Sequence, residues 1–236
     1  MADHPSHTVK SYDDDIHQLR SLITQMGGLC EAQILDAVDA LVRRDVEGAA
    51  TVVATDLRID ALEVEAEALA IRIIALRAPM ATDLREIVAA LKISSVLERV
   101  GDYAKNIAKR TQVLAQAAPI QPMVIVPEMA RVVARMIKDV LDAFVDRDAD
   151  AALAVCQRDA HVDDFYSSLF RSLLTFMMEN PQAITPSAHL LFIAKNLERI
   201  GDHATNVAEM VHYSATGRHI AERPKGDDSI YAVAAV

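Results

Sequence analysis

Four pairs of carboxylates stand four residues apart in this chain: Asp56/Asp60, Glu98/Asp102, Asp159/Asp163 and Glu198/Asp202. On a helix that spacing puts both side chains on one face, with Cβ atoms about 5–6 Å apart. Like charges so placed repel and cost helix stability unless a cation or hydrogen-bond donors compensate. Two of the pairs lie in a segment that occurs twice. Leu-Glu-Arg-Val-Gly-Asp-Tyr-Ala-Lys-Asn at 97–106 returns as Leu-Glu-Arg-Ile-Gly-Asp-His-Ala-Thr-Asn at 197–206. Asn106 and Asn206 add an amide oxygen one turn beyond each pair. Clustered carboxylate and amide oxygens suit hard cations such as Mg²⁺, Ca²⁺, Mn²⁺ or iron. A single acidic pair is most simply a solvated helix face. Four in register across a duplication favour a metal site.

The duplication reaches further upstream. Ala40 to Asp45 matches Ala143 to Asp148, and Ala49, Asp56 and Asp60 match Ala152, Asp159 and Asp163, all displaced by 103 positions. The displacement falls to 100 past Pro79 and Pro181, so a short connection there differs in length. A period this long does not fit a helical solenoid, whose repeats run to about 20–50 residues.

Apolar spacing between the prolines follows the helical template, as at Leu84, Ile87, Val88 and Leu91, or Ile59, Leu62, Leu69, Ile73 and Leu76. Six long helices are expected over 7–44, 48–77, 81–116, 127–147, 149–178 and 185–216, with starts near Thr82-Asp83 and Thr185-Pro186. Gly27-Gly28 is a candidate kink in the first. Val124-Ile125-Val126 is too short and too Pro-bound for a sheet strand. The fold class is all-α: two tandem three-helix bundles related by internal duplication, residues 1–118 and 119–216. Residues 217–236 mix Gly, Pro and charge without a period and read as a flexible tail, although Tyr231 to Val236 is apolar enough to dock.

Helical phase bears on the site. At 100° per residue, Leu84, Ile87 and Leu91 point within about 40° of Glu98, and Leu191 stands in the same relation to Glu198. The apolar stripe is therefore expected to run into the acidic pair and set it in or beside a packed interface, where a bare carboxylate needs a cation or donors. Arg99 and Arg199, about 100° away, are left to another face.

Composition narrows the function. With 52% hydrophobic residues in 236, the chain can bury a sizeable core, and 4% aromatics without Trp suits packed helices better than a β-sandwich. A net charge of −10 argues against nucleic acid or an anionic membrane as the main partner. No apolar run approaches the ~20 residues of a membrane span, and the N-terminus shows no signal-peptide h-region. A cytoplasmic location is expected. Cys30 and Cys156 lack CxxC or zinc-finger spacing and read as small buried side chains. No HExxH, di-iron Glu-x-x-His, P-loop, GxGxxG, GxSxG or kinase signature is present, so no catalytic residue is assigned. His161 and His203 point away from the acidic faces, and no histidine is assigned as a ligand.

Two three-helix units, each with Asp-x-x-x-Asp on its second helix and Glu-Arg-(Ile/Val)-Gly-Asp-x-x-x-Asn on its third, resemble the PhoU family over roughly residues 7–216. The resemblance implies multinuclear clusters of divalent or trivalent ions (iron, zinc, manganese or magnesium) on the protein surface. Their ligands would be Asp56, Asp60, Glu98 and Asp102 in the first unit and Asp159, Asp163, Glu198 and Asp202 in the second. Asn106 and Asn206 match the motif's extension. It also implies a non-enzymatic negative regulator of the phosphate-starvation response, a likeness that brings a sensor histidine kinase and the phosphate transporter's ATPase as partners, and a homodimer. Two other readings share the helices and acids: a carboxylate-bridged di-metal enzyme, which would need histidines on the same faces, and a metal-free helical adaptor.

Overall fold

The computed structural model describes residues 10–220, and within them every regular element is helical. The six helices are α1 (Lys10–Arg43), α2 (Val46–Arg77), α3 (Thr82–Leu114), α4 (Val126–Asp146), α5 (Ala149–Glu179) and α6 (Ile184–Thr216). Short 3₁₀ turns, Gln121–Ile125 and Pro181–Ala183, lead into α4 and α6. The stretch Val124-Ile125-Val126 is thus the entry to a helix. The expected start at residues 7–9 and the tail beyond residue 220 lie outside the described residues.

Local chemistry sets the boundaries. At both α1–α2 and α4–α5 an arginine takes the left-handed conformation (Arg44, φ 58°; Arg147, φ 55°) and the next residue caps the following helix. Asp45 accepts from the Gly48 N–H, and Asp148 from the Asp150 and Ala151 N–H groups. The duplicated Arg-Asp is therefore a turn that satisfies first-turn donors in each unit. α3 begins at Thr82 without a side-chain cap, and α6 begins one residue before Thr185.

The halves are packed on one another, α3 against α6 and α1 against α4. Tyr103 stacks on His203 with ring centroids 5.5 Å apart, and Arg110 meets His189 at 3.0 Å. Tyr103 and His203 are equivalent positions of the repeat, so an approximate two-fold passes between antiparallel α3 and α6. Arg199 lies over the Tyr103 ring at 5.8 Å, which is the separate face that helical phase gave the motif arginines.

This packing corrects the expected stripes. Leu84 is 37% and Leu76 72% exposed, and Leu62 and Leu91 are only half-buried. The buried face of α3 runs instead through Ile87, Ala90, Ile93, Leu97, Val100 and Ala104. α3 is contacted by α1, α2 and α6 together. Its buried arc is therefore wide and includes small residues that hydropathy spacing undervalues.

α1 is unbroken through Gly27-Gly28. A Cβ at Gly27 would overlap Leu141 Cδ1 of α4, whereas Gly28 has nothing within 4 Å. Gly28→Ala is therefore expected to stabilise by up to about 1 kcal/mol through helix propensity. Gly27→Ala is expected to destabilise by about 1–3 kcal/mol through overpacking. Parallel urea titrations check the opposite signs.

The seam also predicts a pH dependence. Burial, then the Arg99 and Arg199 charges, hold the His203 pKa below its ordinary value, with Asp202 opposing. A histidine with a depressed folded pKa contributes stability that is complete above its unfolded value near 6.5 and is lost as pH falls below it. His189, lowered by burial and Arg110, acts in the same sense. Stability is expected to fall between pH 7 and 5.5 with a slope of at most ~1.4 kcal/mol per unit for each histidine. His203→Tyr, which copies Tyr103, is expected to flatten that slope in pH-resolved denaturation curves.

Candidate functional site

α2 packs along α3, and α5 along α6. Each packed pair brings one Asp-x-x-x-Asp beside one Glu-Arg-x-Gly-Asp. The glycine explains itself here. A Cβ at Gly101 would lie 3.2 Å from Asp56 Oδ1 and 2.9 Å from Ile59 Cδ1, and one at Gly201 would lie 3.1 Å from Asp159 Oδ1. Bare backbone at these positions lets the second helix lay its first aspartate directly on the third. Both aspartates are buried, Asp56 at 3% and Asp159 at 8% exposure. They sit in the buried stripe of their helices rather than on a solvated face.

In the first unit the carboxylates sense one another. Burial, then the Asp56 charge, raises the Asp60 pKa above the usual range, and Lys105 partly offsets this. Burial, then Asp102, Glu63, Asp60 and Asp56, raises that of Glu98. Five acids therefore share this patch. Glu63 is the unassigned fifth, although it follows Asp56 and Asp60 along the same helix. The Lys105 ammonium bridges Asp56 Oδ2 and Asp102 Oδ1. Burial works against the charge on Lys105, but hydrogen bonds to Asp102 and Asp56 outweigh it and raise its pKa. Asn106 is exposed one turn further on.

The second unit solves the same problem from the other side of the motif. Lys195 Nζ lies 2.6 Å from Glu198 Oε1 and 5.2 Å from the centre of the Tyr166 ring. Its equivalent in the first unit is Ser95, and the equivalent of Lys105 is Thr205, whose hydroxyl donates to the Asp202 carbonyl. Burial raises the Glu198 pKa, Lys195 opposes, and Asp202 and Asp163 add to the rise. Glu198 Oε2 is buried without a hydrogen-bond partner. Asn206 is half-buried.

Among the described residues, no three His, Cys, Asp or Glu side chains are gathered tightly enough to hold a metal ion as they stand. Lysines stand among the acids instead. The donor set nonetheless fits a hard cation. All candidate ligands are oxygens, several carboxylates repel one another, and one buried carboxylate oxygen has no partner. The lysines escaped sequence reading because each occurs in only one repeat. Gln33 escaped it too: it is 2% exposed, donates to the Val52 carbonyl, and its Oε1 faces Gly101 without a partner.

The cysteines are apart from this chemistry and form no disulfide. Cys30 is fully buried and donates to the Leu97 carbonyl at 3.2 Å, and Cys156 is half-buried. No described helix is long and apolar enough to cross a membrane.

Comparison with known proteins agrees with this architecture. A family model described as PhoU domain matches residues 23–111 and again 126–211. Proteins named phosphate-specific transport system accessory protein PhoU homolog are similar over most of the chain. That of Zymomonas mobilis is 53% identical over 94% of both chains. That of Caulobacter vibrioides is 50% identical over 94% of this chain and 97% of its own. The crystal structure of PhoU from Pseudomonas aeruginosa superposes with a TM-score of 0.84 at 39% identity, covering 88% of this chain and all (100%) of the other. The phosphate transport system regulatory protein PhoU from Streptococcus pneumoniae gives 0.83 at 27% identity, over 89% of this chain and 100% of its own. With both halves matched by the family model and relatives of this similarity along nearly its whole length, the chain belongs to the PhoU family.

Proposed function

We propose that the chain is a cytoplasmic, non-catalytic accessory protein of a phosphate-specific transport system that binds metal ions at its two carboxylate clusters. In this reading it restrains the phosphate-starvation response by linking the transporter's ATPase to a sensor histidine kinase. The role in phosphate transport rests on the names its relatives carry. The metal reading rests on the carboxylates themselves: two sets of mutually repelling acids in equivalent places, with Glu198 Oε2 buried and unpartnered.

Asp56, Asp60, Glu98 and Asp102 would hold metal in the first unit, with Asn106 beside them. Asp159, Asp163, Glu198, Asp202 and Asn206 would do so in the second. A bound cation supplies charge neutralisation and a bridge to a partner's carboxylate or to phosphate. The chain's own part is to hold the acids fixed. Gly101 and Gly201 admit the deep aspartates, and Lys105 and Lys195 neutralise what a cation does not. The same lysines support a second reading, an adaptor whose clusters carry no metal.

Elemental analysis of purified protein separates the two. Glu98→Ala with Asp102→Ala is expected to remove the first unit's metal and leave the second's. Glu198→Ala with Asp202→Ala should do the converse. Unchanged metal content in both double variants would sink the assignment. Affinity capture from phosphate-replete and phosphate-starved cells tests the adaptor role, which fails if neither the ATPase nor the kinase is recovered in either condition.

A further inference from the structure

One residue of the repeated segment takes no part in the carboxylate clusters, yet both halves carry it. In Glu-Arg-x-Gly-Asp the acids and the glycine serve the cluster, and the flanking Leu97, Ala104, Leu197 and Ala204 are core. Arg99 and Arg199 are exposed. Among the described residues neither forms an ion pair. Arg199 reaches instead across the seam, its guanidinium carbon 5.8 Å from the centre of the Tyr103 ring on α3. Arg99, its equivalent, acts across the seam on His203. Tyr103 and His203 stack at 5.5 Å between them. Each arginine stands four residues before its own ring on antiparallel helices. The two therefore approach the stack from opposite ends, about 6 Å of helix rise on either side.

The surroundings are cationic throughout. At 100° per residue, the positions within about 60° of Tyr103 on α3 and of His203 on α6 include Arg85, Lys92, Arg99, Arg110 and Arg199, and no Asp or Glu. The chain as a whole carries a net charge of −10, so this strip runs against its general field. Cations gathered over the low-dielectric wall of an aromatic pair concentrate anions. The neighbouring acids, Asp102 and Asp202, lie about 100° round their helices, and Asp102 is held by Lys105.

We propose that Arg99 and Arg199 clasp a tetrahedral oxyanion over the Tyr103–His203 stack, on the approximate two-fold, and that the ligand is a phosphate group, free or as a monoester. Each guanidinium is a planar fork that binds two oxygens. Two forks closing from opposite ends need four acceptor oxygens on one small body. A phosphate group presents four, and a carboxylate two. Two cations also match the two negative charges that phosphate approaches above its second pKa of about 6. Both halves keep the arginine because each supplies one jaw. The site is separate from the carboxylate clusters and needs no metal ion.

The test is isothermal titration of the chelator-treated full chain with inorganic phosphate, at fixed ionic strength and a pH above about 7, repeated with phenyl phosphate. One saturable site per chain is expected, with sulfate competing and chloride not. Arg99→Gln and Arg199→Gln are each expected to weaken binding at least ~10-fold through loss of charge-assisted hydrogen bonds, and the two together to abolish it. Circular dichroism verifies that these surface variants fold. Arg171→Gln, at an exposed arginine of α5, is expected to leave binding unchanged. Tighter binding of phenyl phosphate assigns the site to an ester whose organic part lies on the rings, and equal or weaker binding assigns it to free phosphate. No saturable binding of either probe, or binding that the double variant retains, overturns the site. Phosphate taken up only before chelation, and by the arginine variants as well as by wild type, belongs to the carboxylate clusters and overturns it too.

Discussion

Replacing Glu86 by Gln is expected to cost about 3 kcal/mol of folding stability, the largest loss predicted for any single polar side chain here. Glu86 lies on α3 and is 4% exposed. Its Oε1 is 2.5 Å from Arg20 Nη2 of α1, and its Oε2 pairs with Arg147 at the end of α4. One carboxylate thus balances two guanidinium groups from two helices and ties the first half of the chain to the second. Burial lowers the pKa of both arginines, Arg147 further through its neighbour Arg20. The amide keeps the shape of the side chain and removes its charge, so both cations are left without their anion. Removing one partner of a buried ion pair costs about 3–5 kcal/mol. The low end applies because the arginine side chains keep 20% and 25% exposure. Chemical denaturation measures the loss. A converse variant with Arg20→Met, Glu86→Leu and Arg147→Met should be near neutral, since an apolar set of similar volume needs no compensation. A Glu86→Gln variant within about 0.5 kcal/mol of wild type, the scale of an ordinary surface substitution, would mean that the triad is solvated.

Helices and acid pairs were legible in the sequence because they are periodic and written twice. Helix ends fall close to expectation since proline, glycine and the Arg-Asp turns punctuate them. The glycine of the repeated segment was visible as a repeat, but its reason, the Asp56 and Asp159 oxygens lying against it, depends on a neighbouring helix. Glu86 left no trace because its partners lie 66 and 61 positions away, at Arg20 and Arg147, and it has no counterpart in the second unit, where Pro186 stands. The stripe on α2 was read with a mixed phase for a physical reason. That helix is apolar on two faces, one turned to the core through Ile59, Leu69 and Ile73 and one exposed through Leu57, Val64 and Ile71. A single periodicity cannot say which face is inside. Alanine further lowers the contrast of the outer one. Lysines 105 and 195 were hidden by the repeat itself, which draws attention to what both halves share and away from where they differ.

That difference yields the second large effect. Lys105→Met is expected to cost about 2–3 kcal/mol at pH 7 without added cations, because it strips the donor from Asp56, whose side chain is 4% exposed. Methionine keeps most of the stem's packing, so the loss reports the ammonium. The pH dependence follows from the neighbours. Asp60 and Glu98 already have raised pKa values, from burial and then from Asp56 and Asp102 respectively, and Lys105 is what lowers that of Asp60. A carboxylate with a raised folded pKa contributes stability that is present below its unfolded value, near 4, and lost as pH rises through the folded one. Without the lysine the acids hold their protons to higher pH. The variant's deficit should therefore shrink as pH falls from 7 towards 5. Millimolar Mg²⁺ or Mn²⁺ should shrink it at constant pH, because a cation replaces the missing charge and stabilises the folded state in proportion to its binding. Thermal melts across pH and cation concentration read both effects, with Lys195→Met as the companion in the second unit. A deficit indifferent to protons and to cations would assign Lys105 a packing role and take away the electrostatic argument for a metal at the first cluster.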